Sequence, residues 1–128
     1  MRRLYSEHVP LATVGDRALL ATLADRGVEL AVAVFPHQVT EAAELARRAA
    51  RADVPLVLWP LLPDELGRWP SGANPQAFAA HVDALVAEVP GRPPILFDVE
   101  PPIDWTRRAL HGHAARRPGD RSARRARL

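Results

Sequence analysis

The 128-residue chain contains no cysteine and no lysine. The absence of cysteine excludes disulfide bonds and catalysis by a thiolate. No apolar run approaches the roughly 20 residues that a membrane-spanning helix needs, so we expect no contact with a membrane. The first eight residues, MRRLYSEH, include two arginines but no apolar stretch of signal-peptide length, and this favours a cytoplasmic location.

The 17 basic residues are all arginines, and they are unevenly distributed. Residues 1–104 carry 9 arginines and 14 acidic residues, which gives a net charge of −5; residues 105–128 carry 8 arginines and only Asp120, which gives +7. We therefore predict a partial (β/α) barrel domain over residues 1–104 and a disordered Arg-rich tail over 105–128. The tail has no interleaved aromatic residues beyond Trp105 and no groove-binding motif, which argues against nucleic acid as a partner.

Four apolar segments have the length and composition of β-strands, at residues 4–9, 30–35, 55–59 and 94–99. The second of them, LAVAVF, is a continuous apolar run that ends at Pro36. Such a run is typical of a parallel strand that is buried on both faces. Three helices are predicted between the four strands, and this alternation indicates βαβ crossovers and a parallel sheet.

Capping signals and apolar spacing place these three helices. Thr13 followed by Asp16 resembles a capping box, Thr40 is a candidate cap for the second helix, and Asn74-Pro75 is a strong start for the third. The third helix has the clearest apolar stripe, formed by Phe78, Val82, Leu85, Val86 and Val89.

The pattern predicts an α/β fold with four successive βα units, which is half of a (β/α)8 TIM-type barrel. A complete barrel needs roughly 250 residues. A small open parallel sheet is the alternative architecture. No G-x-G-x-x-G or G-x-x-x-x-G-K-[ST] motif follows any strand, so the nucleotide-binding versions of an open sheet lose support.

Polar and aromatic residues collect where the predicted strands end, which is where barrel enzymes build their active sites. Asp98 and Glu100 are two apart on the fourth strand and therefore point to the same side. Mutual repulsion and partial burial would raise the proton affinity of one carboxylate, as a general acid requires. Glu100 and Asp98 are therefore the candidate catalytic residues.

The candidate substrate-binding residues lie at the carboxyl ends of the first three predicted strands or in the long loop after the third. Indole rings stack on the apolar faces of sugars, and arginine donates hydrogen bonds to hydroxyl or carboxylate groups. These properties predict a carbohydrate ligand held by Glu7, His8, His37, Trp59, Arg68 and Trp69.

At Phe97-Asp98-Val99-Glu100 the chain resembles the fourth-strand signature of barrel glycoside hydrolases, particularly the D-x-E ending of the family 18 chitinase-like group. The resemblance implies that Glu100 protonates the leaving glycosidic oxygen and that Asp98 helps the substrate acetamido group to act as nucleophile. It implies no cofactor. Leu96 stands where the longer motif of the family has another aspartate.

Two other interpretations remain open. In a metal-dependent sugar isomerase or epimerase of the barrel type, Glu7, His8, His37 and Glu100 would hold a divalent cation. The chain would instead be inactive if it came from a truncated or frame-shifted gene, as the loss of apolar spacing after residue 107 indicates. Four units leave two sheet edges unpaired, so we expect a homo-oligomer or a second half-barrel as partner.

Overall fold

The computed structural model describes residues 1–99, which form an α/β domain in which strands and helices alternate. The strands are β1 (Arg2–Ser6), β2 (Val28–Val34) and β3 (Leu56–Pro60). The α-helices are α1 (Leu11–Val14), α2 (Arg17–Asp25), α3 (Val39–Arg51) and α4 (Pro75–Glu88). Short 3-10 turns at Pro36–Gln38 and Asp64–Leu66 follow β2 and β3. No helix in residues 1–99 is long and apolar enough to cross a membrane.

The three strands form an open, all-parallel sheet in the order β1-β2-β3. The predicted fourth strand is reduced to a single parallel bridge between Leu58 and Ile95. This bridge places the segment beside β3, on the side away from β2. Leu58 donates its N–H to the Pro94 carbonyl (2.9 Å), and Leu96 donates to the Leu58 carbonyl (2.8 Å). Pro94 has no N–H to extend this ladder backward, and Pro60 of β3 has none to extend it forward, so the pairing is limited to this bridge.

The core lies between the sheet and the helix layer. Alternate side chains of β2 and β3 face the helices and are fully or almost fully buried, namely Leu30, Val32, Val34, Leu56 and Leu58. Ala31 and Ala33, on the opposite face of β2, are 0% and 3% exposed. The prediction that β2 is buried on both faces is therefore confirmed. β1 is the outer strand, and its Leu4 is 42% exposed.

Three predicted helix caps need correction. Asp16, and not Thr13, caps α2, because its carboxylate accepts the N–H groups of Ala18 (3.0 Å) and Leu19 (3.2 Å). Thr40 does not cap α3, since that helix already begins at Val39 after the 3-10 turn. α4 begins at Pro75 as expected, but the Asn74 side chain makes no capping hydrogen bond.

The buried face of α4 also differs from the predicted stripe. Phe78, Leu85 and Val89 are buried, whereas Val86 is 54% exposed and His81 is 4% exposed. Hydrophobicity alone misplaced this face because a histidine with a hydrogen-bond partner can be buried at little cost.

Candidate functional site

An aromatic pair lies on the sheet face opposite the helices. Tyr5 of β1 and Trp59 of β3 pair in register with Ala31 and Ala33 of the strand between them. Because alanine side chains are short, the two rings meet across β2, with centroids 6.4 Å apart and planes at 85°. This edge-to-face arrangement is a favourable aromatic geometry. We call the surface formed by Tyr5 and Trp59 the aromatic floor; it lies near the carboxyl ends of the strands.

An ion pair lies beside this floor. The Arg68 Nη2 atom is 2.7 Å from Glu7 Oε1, and the two side chains are 17% and 27% exposed. Glu7 directly follows β1, and Arg68 lies in the loop after β3. Because the two side chains are in contact, this loop reaches across the sheet to the end of β1. We call the group formed by these residues the mouth cluster: Tyr5, Glu7, Trp59, Arg68 and Trp69.

Two further contacts orient the charges of the mouth cluster. The Arg68 guanidinium carbon lies 5.8 Å from the centroid of the Trp69 ring, a cation-π distance. His8 Nε2 is 3.6 Å from Glu7 Oε2, although the His8 side chain is 78% exposed. Four predicted residues, Glu7, His8, Arg68 and Trp69, are thus linked by contacts, and a fifth, Trp59, pairs with Tyr5 at the same end of the sheet.

The loop that carries Arg68 and Trp69 is held by the buried side chain of Asn74. Its Nδ2 donates hydrogen bonds to the carbonyls of Leu66 (2.7 Å) and Trp69 (2.8 Å), and its Oδ1 accepts the N–H of Ser71 (2.9 Å). Asn74 is 6% exposed. These three bonds explain why its side chain does not cap α4.

The loop backbone has an uncommon conformation at Arg68. Its φ angle is +62°, directly after Gly67 at +94°. A non-glycine residue in this region is uncommon and costs of order 1 kcal/mol. Leu62 donates its N–H to the Arg68 carbonyl (2.8 Å), which helps to hold this conformation. The fixed backbone presents the guanidinium group to Glu7.

Asp98 lies on the same sheet face as the aromatic floor. Ile95 is paired with Leu58, and the Phe97 ring lies 5.9 Å from the Phe78 ring of α4. Since Phe97 faces the helices, alternation along the extended segment places Asp98 on the opposite face. Its side chain is half-buried. Glu100 lies outside the described residues.

His37 is placed apart from the mouth cluster. It lies in the 3-10 turn after β2, is exposed, and stacks on Phe35 with ring centroids 6.1 Å apart. Within residues 1–99, no three His, Asp or Glu side chains are arranged so that they could hold a metal ion. The metal-dependent interpretation therefore has no ligand set in this part of the chain.

His81 is a buried polar residue that the sequence does not distinguish from the apolar stripe of α4. Its Nε2 is 2.7 Å from the Val34 carbonyl, which also accepts the N–H of Leu61 (3.0 Å). Nε2 must therefore carry the proton. Burial lowers the pKa of His81, and the hydrogen bond to Val34 only partly opposes this effect. The side chain ties α4 to the carboxyl end of β2.

This burial predicts a loss of stability in mild acid. The unfolded chain binds a proton at His81 near the ordinary pKa of 6.5, whereas the folded chain binds it only at lower pH. The contribution of neutral His81 to the stability of the fold is therefore complete above about pH 6.5. It is lost as the pH falls through the folded-state pKa. We expect the urea concentration at the unfolding midpoint to be lower at pH 5.5 than at pH 7.5.

Replacing His81 with glutamine should flatten this pH dependence, and His37→Gln should leave it unchanged because His37 is exposed. Equal slopes of stability against pH in the wild type and in His81→Gln would assign the effect to other groups.

Comparison with protein-family models, with curated proteins and with solved structures finds no match for this chain. The function is therefore argued from the geometry of the mouth cluster.

Proposed function

We propose that the chain is a glycoside-hydrolase-like protein whose four βα units are half of a (β/α)8 barrel. The strand order supports this architecture, because β1, β2, β3 and the bridged segment at Ile95 follow one another without a reversal. A doubly wound sheet reverses its strand order at the point where ligands bind. In a barrel, the face that carries the aromatic floor would point inward.

The observation that carries the functional proposal is the mouth cluster. A sugar ring has an apolar face, which stacks on aromatic rings, and hydroxyl groups, which bind charged side chains. Trp59 supplies an aromatic surface, and the Glu7–Arg68 pair supplies an acceptor and a donor beside it. The substrate-binding role assigned to Glu7, Arg68 and Trp69 thus rests on contacts between them, and that of Trp59 rests on its ring pair with Tyr5 at the same end of the sheet.

The catalytic part of the proposal follows from the D-x-E resemblance. Glu100 would protonate the leaving glycosidic oxygen, and Asp98 would orient the acetamido group of the substrate. The placement of Asp98 on the sheet face of Trp59 supports this role. A sugar that stacks on the aromatic floor would then lie on the side of the sheet from which the carboxylate approaches.

Binding of chitotetraose, measured by isothermal titration calorimetry with the full chain, tests the proposal. We expect Trp59→Ala to weaken binding at least about tenfold, since a stacked aromatic ring contributes roughly 1.4 kcal/mol or more, including the area it buries. Arg68→Gln should weaken binding to a similar extent. Leu66→Ala, in the same loop but outside the mouth cluster, is the control and should bind as the wild type does.

Thermal melting of each variant separates loss of binding from loss of folding. If Trp59→Ala and Arg68→Gln are both folded and bind chitotetraose as tightly as Leu66→Ala, the mouth cluster is not the binding site. If the wild type itself fails to bind, the carbohydrate proposal is wrong for this class of sugar.

A further inference from the structure

A groove separates α2 from α3 on the helix side of the sheet. α2 packs on β2, and the main contact to α3 comes from α1. The groove has a volume of about 690 Å³, which lies in the range of small-molecule sites, roughly 300–1,000 Å³. Its apolar lining consists mostly of small side chains, which leave the space open: Leu20, Ala21, Ala24 and Ala52.

The charged lining of the groove is mostly basic. Arg17, Arg48 and Arg51 line it, and Asp25 is the acidic residue among its lining side chains. The lining side chains alone, with three positive charges and one negative charge, carry a net charge of +2; Glu44, which pairs with Arg48, is not part of the lining. Residues 1–104 as a whole carry a net charge of −5. The groove is therefore a basic site on an acidic domain.

Arg48 is held in place by its neighbours. Its Nε donates to Glu44 Oε1 (3.0 Å), and its Nη1 lies 3.5 Å from the Gly15 carbonyl oxygen. A Cβ atom at Gly15 would lie 3.3 Å from Leu45 Cδ1 and 3.6 Å from Arg48 Cδ. Glycine at this position thus gives room for the arginine side chain to lie along the groove.

Arg17 and Arg51 have no such partner. Within residues 1–99, neither guanidinium group has a carboxylate within 4.0 Å. Arg17 is also the first residue of α2, where the helix dipole disfavours a positive charge. The helix dipole therefore does not favour an arginine at this position. An anion bound in the groove would supply the negative charge that Arg17 lacks.

We propose that the α2–α3 groove binds a small organic phosphate. A phosphate monoester carries close to two negative charges at neutral pH, which matches the net charge of the lining, and guanidinium groups bind phosphate oxygens in a bidentate manner. The apolar part of the ligand lies on Ala21, Ala24 and Leu20. This site is on the opposite face of the sheet from the mouth cluster, so it is independent of carbohydrate binding.

Calorimetric titration of the full chain with 1-naphthyl phosphate, inorganic phosphate and 1-naphthol tests the proposal. We expect 1-naphthyl phosphate to bind with a submillimolar Kd, inorganic phosphate to bind at least tenfold more weakly, and 1-naphthol not to bind measurably. Arg17→Gln and Arg51→Gln should each weaken 1-naphthyl phosphate binding about tenfold, because each removes a charge-assisted hydrogen-bond donor.

Arg47→Gln is the matched control. Arg47 is an exposed arginine of α3 that pairs with Glu44 (3.3 Å) and does not line the groove. We expect this variant to bind as the wild type does. Ala21→Leu should obstruct the apolar part of the groove and weaken binding of 1-naphthyl phosphate, and chitotetraose binding by the same variant should be unchanged.

Three results would overturn the proposal. The first is no binding of 1-naphthyl phosphate at millimolar concentration. The second is an equal loss of affinity in Arg47→Gln, which would indicate attraction to positive charge in general, including that of the Arg-rich segment 105–128. The third is full binding by Ala21→Leu, which would place the ligand elsewhere.

Discussion

Replacing Glu100 with glutamine is expected to lower kcat for hydrolysis of chito-oligosaccharides at least about a hundredfold, because general acid catalysis contributes roughly 10²–10⁴-fold. Glutamine keeps the size of the side chain but cannot donate the proton that the leaving oxygen needs. Binding of the same sugar should change little. The measurement is release of reducing ends, together with calorimetric titration of each variant.

Asp98→Asn and Glu88→Gln complete this experiment. Asp98→Asn should lower kcat to a smaller extent, because in the proposed mechanism the aspartate assists the substrate and does not itself protonate the leaving group. Glu88, which is exposed at the end of α4, is a matched control for a glutamate-to-glutamine change. Unchanged turnover in Glu100→Gln would remove this residue from the acid role and leave carbohydrate binding as a separate question.

The parallel sheet could be predicted from the sequence because buried strands have a strong apolar signature. The run of small and branched residues in β2 is buried on both faces, with the helices on one side and the Tyr5–Trp59 ring pair over the other. The predicted fourth strand has a similar composition, but ladder formation depends on backbone N–H groups, which Pro94 of that segment and Pro60 of β3 lack.

The helix caps were less predictable, since several polar residues compete for each helix start. Thr13 and Asp16 both suit a capping position, and only the short helix α1 determines that Asp16 is the one used. Asn74 is followed by a proline that fits the first position of a helix, yet its side chain serves the preceding loop instead. Local sequence cannot show which of two nearby backbone segments an amide will bind.

The mouth cluster could be predicted only in part. Glu7 and Trp59 follow from their positions at the ends of predicted strands. The contact between Glu7 and Arg68 does not, because it depends on the conformation of a loop with a positive φ angle at an arginine. The predicted site residues do not include Tyr5, although its spacing of two residues from Glu7 on a predicted strand places both on one face.

Asn74→Ala should be the most disruptive substitution in the loop that carries Arg68 and Trp69. It removes three hydrogen bonds and leaves the Leu66 and Trp69 carbonyls without these donors. Each lost bond contributes roughly 1 kcal/mol, and an unsatisfied buried group costs about 1–3 kcal/mol. We therefore expect the free energy of unfolding to fall by about 3 kcal/mol, measured by urea denaturation followed by circular dichroism.

The loop should lose more of its ordered structure than the sheet in Asn74→Ala, because the Asn74 side chain bonds to the loop backbone and not to a strand. We expect limited proteolysis to cleave Asn74→Ala first within residues 63–74, and chitotetraose binding to weaken with it. Asn74→Asp keeps the acceptor for the Ser71 N–H but turns a buried carboxylate oxygen toward the Leu66 and Trp69 carbonyls, so its loss of stability should be at least as large as that of the alanine variant. Gln76→Ala, an exposed change in α4, is the control. Wild-type stability and protease resistance in Asn74→Ala would show that the backbone bonds of the loop suffice to hold Arg68 against Glu7.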